Sequence, residues 1–246
     1  MQQKLNMDMI ERALKTTSFD LKPSDFLTSK YQAEIRYLFT LGYFPKFDSK
    51  NFVNRVDVKA LNKSILELKR ESSQKFGSLY KYKLSGVGPG EVMMFFLIDG
   101  ARLGGGLSTA VDLFVRNKKY EIKSAKVSNK GLAYDFRLGG TVPLNRVMTA
   151  LNDIRVEHKL GGSSSSISGD VIDSMRQKAS FEFSNVEKEY GRLVEEYFNG
   201  HEVIFMNNSD TSKMGHIESI QKVVASDVTI ERLTSGTVKP RIKLHR

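Results

Sequence analysis

The chain of 246 residues contains no cysteine. Disulfides and thiolate metal sites are therefore excluded, and the composition suits a reducing compartment. Histidine is scarce as well: His158, His201, His216 and His245 are the four present, and no two stand at a metal-ligand spacing. Long hydrophobic runs are missing. The longest, Val92 to Ile98, falls far short of a bilayer crossing, so no membrane association is expected. The opening stretch MQQKLNMDMIERALK is amphipathic without a continuous apolar centre, which does not fit a secretory leader. GVGPGE, residues 86–91, has neither the G-x-G-x-x-G spacing nor the Gly-Lys-Ser/Thr ending of nucleotide loops, so it reads as a structural turn. The serines of GGSSSSISG have no histidine partner arrangement that would make one a nucleophile.

What the chain does have is positive charge. Lysine and arginine number 38 against 28 acidic residues, a formal net charge of +10. Such a chain attracts polyanions, of which nucleic acid is the commonest in a cell.

Three regions are expected: a helical N-terminal part at 1–80, an α/β core at 81–207, and a basic β-rich segment at 208–246, which could together form one domain. In the first, Leu5, Met9, Ile10 and Leu14 recur at helical spacing. PSDFLTSKYQAEIRYLFTLG has start and stop signals, and a third helix is expected over about 58–76 on Leu61, Ile65 and Leu68. Tyr31, Tyr37, Phe39, Tyr43 and Phe44 read as a packed helix face rather than a base-stacking platform.

In the core, EVMMFFLIDGARLGGG reads as a short buried helix ended by glycines. Strands are expected at about 108–116, 119–127 and 132–138, and a helix over VPLNRVMTALNDIRVEHKL with Pro143 in its first turn. A mobile serine-rich loop at 161–169, helices at about 169–178 and 185–199, the strand HEVIFM and a basic C-terminal edge or tail complete a mixed α/β or α+β pattern.

VDLFVRNKKYEIKSA, residues 111–125, reads as a β-hairpin with three charges set into it. Alternation puts Glu121 and Lys123 on one face. If Asn117–Lys118 is the turn, Asp112 sits opposite Lys123 with Glu121 one diagonal step away; a slip of one residue would turn Asp112 to the other face. Two carboxylates and an ammonium so placed suit a hard divalent cation held with waters and substrate phosphate oxygens. Such an ion polarises a phosphoryl oxygen and activates water, while the lysine stabilises developing charge. An ordinary cross-strand ion pair on a solvated face, contributing about 0–1 kcal/mol, would place the same residues there.

Asp-(x)8-Glu-x-Lys across a hairpin, preceded by a glutamate-bearing helix in GPGEVMMFFLIDG, resembles the core of the PD-(D/E)XK, or restriction-endonuclease-like, nuclease superfamily, and in detail nuclease-like proteins of tailed bacteriophages. The similarity covers roughly residues 86–138, and Val111 stands where the superfamily often has proline. The resemblance implies a mixed central sheet flanked by helices, with a helical N-terminal extension. It implies Asp112 and Glu121 as metal carboxylates, Glu91 as a further acid and Lys123 as the catalytic lysine. Glu91 could equally be a first-turn acid favoured by the helix dipole.

The implied activity is Mg²⁺-dependent hydrolysis of DNA phosphodiesters, with Mn²⁺ able to substitute. Lys126, Lys130 and Arg137 are candidate nucleic-acid contacts. Lys239, Arg241, Lys243 and Arg246 could track a backbone or form a solvated end. A non-catalytic DNA-binding or virion assembly protein that keeps the fold is the rival reading. A junction resolvase, which would be a dimer, is a third. DNA and a second copy or a phage protein are the expected partners, and the host cytoplasm or the virion the expected location.

Overall fold

The computed structural model describes residues 57–71, 88, 90, 91, 94, 98, 101–103, 111–128, 131–138, 142–207, 216–220 and 222–244. The helices expected within residues 1–56, and the end of the third beyond residue 71, lie outside the described residues.

The elements run α1 (Val58–Glu71), β1 (Ala101–Leu103), β2 (Leu113–Val115), β3 (Lys118–Val127), β4 (Leu132–Tyr134), α2 (Val142–Glu157), α3 (Gly169–Lys178), α4 (Ser180–Phe198), β5 (Glu202–Asn207), β6 (His216–Ile220), β7 (Val228–Thr234) and β8 (Thr237–Lys243). The result is a mixed α/β fold, as the sequence pattern indicates. One path through the eight-stranded sheet runs β1-β2-β3-β4-β8-β7, with β5 and β6 branching from β3. The β3–β5 pair is parallel and the others antiparallel.

Strand β3 organises the sheet. Its odd-numbered residues Ala125 and Val127, with Val203 and Phe205 of β5, face the main core. Onto them α2 lays Val147, Leu151 and Ile154, α3 Ile172 and Met175, and α4 Phe183, Tyr190, Val194 and Phe198. The spacing in α2 is the one-face pattern that buries a helix stripe. Phe136 stacks obliquely on Phe205 with ring centroids 5.3 Å apart and on Phe198 at 6.1 Å, which closes the core beneath the end of α4. The helix then stops at Asn199, whose left-handed φ of 47° lets its N–H reach the Glu195 and Glu196 carbonyls before the chain enters β5.

Several boundaries differ from the sequence reading. The expected buried helix does not extend over Ala101–Leu103, which is a strand paired with β2. Its three residues take the ladder that β2 would otherwise leave open. The strand expected to reach residue 138 stops at Tyr134, because Asp135 adopts a positive φ of 66°. Helix α4 begins at Ser180, five residues early, since Ala179 alone separates it from α3.

The serine-rich stretch, expected as a mobile loop, is a fastened turn. Ser163 and Ser166 exchange backbone hydrogen bonds, the Ile167 N–H donates to the Leu233 carbonyl at 2.9 Å, and the Ile167 side chain is buried in the core. Lastly, the basic C-terminal segment is no solvated tail through residue 243, for β8 pairs with both β7 and β4.

Candidate functional site

The hairpin turn falls on Arg116–Asn117, with Val115 opposite Lys118. Arg116 takes the positive φ (54°) that lets a two-residue turn match the strand twist. The expected register, with Asn117–Lys118 in the turn and Asp112 opposite Lys123, is therefore corrected. Moving a two-residue turn by one position shifts the register by two, which aligns Asp112 with Glu121 instead. Because side chains alternate with period two, an even shift leaves every residue on its expected face.

At Asp112 the ladder gives way. The Asp112 N–H donates to the Tyr120 carbonyl at 3.0 Å, while its own Oδ2 accepts the Ile122 N–H at 2.7 Å. A side chain thus stands in for the missing strand partner. Further along, the Ser128 N–H donates to the Leu132 carbonyl of β4. Ile122 and Ser128 are an even number of residues apart, so β2 and β4 flank the same edge of β3. Between them the edge is open among the described residues, and Asp112 sits in the opening.

Glu91 reaches the same place from the other side of the sheet. Gly90 lies against β3 and β5 so closely that a Cβ there would stand 2.5 Å from Met206 Sδ and 3.3 Å from Ile122 Cγ2. The Gly88 N–H donates to Glu91 Oε1 at 2.9 Å, half of a capping box. The first-turn role anticipated for Glu91 is present, and it also fixes where the carboxylate lies. Asp112, Lys123 and Glu121 are all within electrostatic reach of it.

Glu121 and Lys123 share the face that looks toward α4. Lys123 Nζ lies 2.5 Å from Glu121 Oε1 and 5.3 Å from the centroid of the Tyr197 ring. Glu121 Oε2 is buried with no hydrogen-bond partner among the described residues. Tyr197 is the member of this group that sequence reasoning missed. It comes from the last turn of α4, 74 residues beyond Lys123, and nothing local in EEYFNG marks it.

Crowding acids into one opening shifts their protonation. Burial, then the Asp112 charge, push Glu91 up to about 8, against the pull of the Gly88 N–H and Lys123. Burial and Asp112 likewise raise Glu121 to about 7 despite its lysine partner. Asp112 too is raised, by burial, which Lys123 and the Ile122 N–H oppose. Burial alone would lower Lys123, but Glu121, Tyr197 and Asp112 outweigh it and hold the ammonium above its ordinary value. Carboxylates so close cannot all be ionised at neutral pH without a further cation.

The donor set suits such a cation: oxygen ligands on neighbouring strands, one of them orphaned and buried, as Mg²⁺ prefers. Among the described residues no three acidic or histidine side chains are already gathered around one point, because Glu121 turns to Lys123 and Glu91 to Gly88.

The other candidates lie elsewhere. Lys126 is on the opposite face of β3, with Nζ 5.4 Å from the Tyr134 ring centroid. Arg137 is exposed and lies within electrostatic reach of Lys239. Lys130 and Arg246 lie outside the described residues. No helix among those residues is long and apolar enough to cross a membrane. No family model, curated protein or solved structure matches this chain.

Proposed function

We propose that the protein is a metal-dependent deoxyribonuclease with a restriction-endonuclease-like core, of the type found in tailed bacteriophages. The observation that carries this reading is the electrostatic interaction of Glu91 with Asp112, Glu121 and Lys123 beside the open edge of β3, with a carboxylate oxygen of Glu121 buried and unpartnered among the described residues. Asp112 and Glu121 would hold Mg²⁺ or Mn²⁺, with Glu91 beside them. Bound there, the ion would supply charge neutralisation at the phosphoryl oxygens and a water of lowered pKa.

The chain's own residues divide the remaining work. Lys123, kept protonated by Glu121 and Tyr197, acts as a cation beside the phosphate and not as a base. Glu91, held in place by the Gly88 N–H within electrostatic reach of Asp112 and Glu121, would accept the proton from the attacking water. Asp112 is oriented by the Ile122 N–H, so its carboxylate needs no reordering when substrate arrives.

Supercoiled plasmid, linear duplex and branched DNA incubated with Mg²⁺ or Mn²⁺ provide the test. Wild type is expected to cut at least one of them, and Lys123→Ala to be slower by about 10²–10³-fold, the usual loss on removing one electrostatic stabiliser. Wild type and Lys123→Ala equally inert on every substrate would sink the proposal. One observation favours a second reading, a non-catalytic DNA-binding or virion assembly protein: Lys123 closes directly on Glu121, where a cation would otherwise sit. That reading requires no heat of Mn²⁺ binding to the wild-type protein.

A further inference from the structure

On the face of the sheet turned away from the main core, the strands build a row that the carboxylate site does not use. Residues Val127, Ala133, Ile230, Val238 and Ile242 face the core, so their alternates face outward. Lys126 pairs with Tyr134 across β3 and β4. One step beyond the Ala133–Ile242 pair, Tyr134 meets Arg241, which in turn pairs with Thr229. Both cations lie over the same ring, Lys126 Nζ at 5.4 Å and the Arg241 guanidinium carbon at 6.0 Å from its centroid. Arg241 is also ion-paired to Glu231.

The next row is more telling. Arg232 stands directly opposite Lys239, a like-charge pairing that strands ordinarily avoid; Lys239 itself is buried, so it is not one of the exposed cations of this face. Asp135, turned by its positive φ, lies 2.5 Å from Arg232, and Arg137 adds a further positive charge near Lys239. Asp135 thus serves two cations, Arg232 by an ion pair and Lys239 by its charge. Exposed Lys126, Arg137 and Lys243 have no ion-pair partner among the described residues. A face with Lys126, Arg137 and Lys243 exposed, and with a tyrosine ring approached by Lys126 and Arg241, suits an extended anion with a stacking surface.

We propose that this outward face of β3, β4, β8 and β7 docks the phosphate backbone of a nucleic acid, with Tyr134 as its stacking contact. The proposal gives the nuclease reading an anchoring surface across β3 from Lys123, so holding and cutting reside in separate residues. A nucleic acid fits better than a lipid surface, because every large apolar side chain exposed among the described residues lies off these strands.

Binding is measured without cutting, by anisotropy of labelled duplex DNA, single-stranded DNA and RNA of one sequence in EDTA across a salt series. Substituting Lys126, Arg137 and Lys243 by glutamine should weaken binding at least tenfold and flatten the log–log salt slope by about 2 to 3, near 0.9 for each phosphate no longer neutralised. A charge-matched control, Lys159, Lys178 and Lys188 to glutamine on the helical side, should change neither. Tyr134→Leu should cost more on single strands than on duplex, and the ranking of the three wild-type affinities names the polymer. Unchanged affinity in the first triple variant, or an equal loss in the control, overturns the docking face. So does a wild type that sediments with phosphatidylserine vesicles but binds no nucleic acid. Hydrolysis is scored separately in Mg²⁺: a wild type that binds through this face and cuts nothing leaves the docking face standing and removes the nuclease reading.

Discussion

At the scale of single residues, Asp112 does two jobs that substitution can separate. Its carboxylate satisfies the Ile122 N–H and belongs to the charged group. Asp112→Ala should destabilise the fold by about 1–3 kcal/mol, since it strands a donor on β3, whereas Asp112→Asn keeps an acceptor and should cost less. Urea unfolding of the two variants checks this; equal midpoints would refute the capping role. The acids also set a pH dependence. Glu91 and Glu121 are raised from an ordinary 4.5 to about 8 and about 7, so the folded state binds their protons more tightly than the unfolded state. Their contribution is whole below pH 4.5, and it declines as pH rises toward 8. In EDTA the melting temperature should therefore fall over that window, and Glu91→Gln with Glu121→Gln should flatten the curve. A wild-type profile that is already flat would contradict the burial of these acids. A divalent ion bound as proposed would compete with the same protons, so its affinity should climb across the same range.

At the scale of elements, glycine sets how closely α4 and the segment at Gly90 approach their supports. A Cβ at Gly191 of α4 would lie 2.5 Å from the Ala225 carbonyl oxygen, a backbone atom that cannot swing aside. At Gly90 the nearest atom is the sulfur of flexible Met206. Gly191→Ala should accordingly lower stability by about 1–3 kcal/mol, and Gly90→Ala by less, in chemical denaturation. If the proposed metal site holds, Gly90→Ala should instead show its effect at Glu91, as weaker Mn²⁺ binding. Most elements were legible in the sequence because their cause is local: the apolar stripe of α2, the unbroken HEVIFM run of β5, the alternation in β3. What was not legible depends on distant partners. Strand β1 exists because β2 needed an edge, and Ile167 ties down the serine-rich turn because Leu233 offers backbone groups 66 residues away. In the candidate site, the shared face of Glu121 and Lys123 followed from alternation. The register depended on the φ of Arg116, and the place of Tyr197 on the whole of α4.

At the scale of the molecule, segments far apart in sequence share one sheet. Strands β6 and β8, from the segment that begins at residue 208, pair with β5 and β4 of the central region, so the sheet does not divide where the composition changes. Val238 and Ile242 of β8 complete the core, and the Val238 carbonyl accepts the buried Tyr190 hydroxyl at 3.0 Å. A chain ending at Gly236 should therefore collect in the insoluble fraction, while Tyr190→Phe should remain soluble with a stability loss of about 1 kcal/mol. The β4–β8 pairing also carries a consequence for biosynthesis. About a hundred residues separate the two strands, so at roughly 5–20 residues per second a ribosome takes on the order of 5 to 20 s to supply the partner of β4. Throughout that interval the nascent chain presents an unpaired strand edge and half of a core. Arrested nascent chains that expose residues up to 236 should be held by chaperones and cut readily by protease, and lengthening the tether by a dozen residues should release and protect them together.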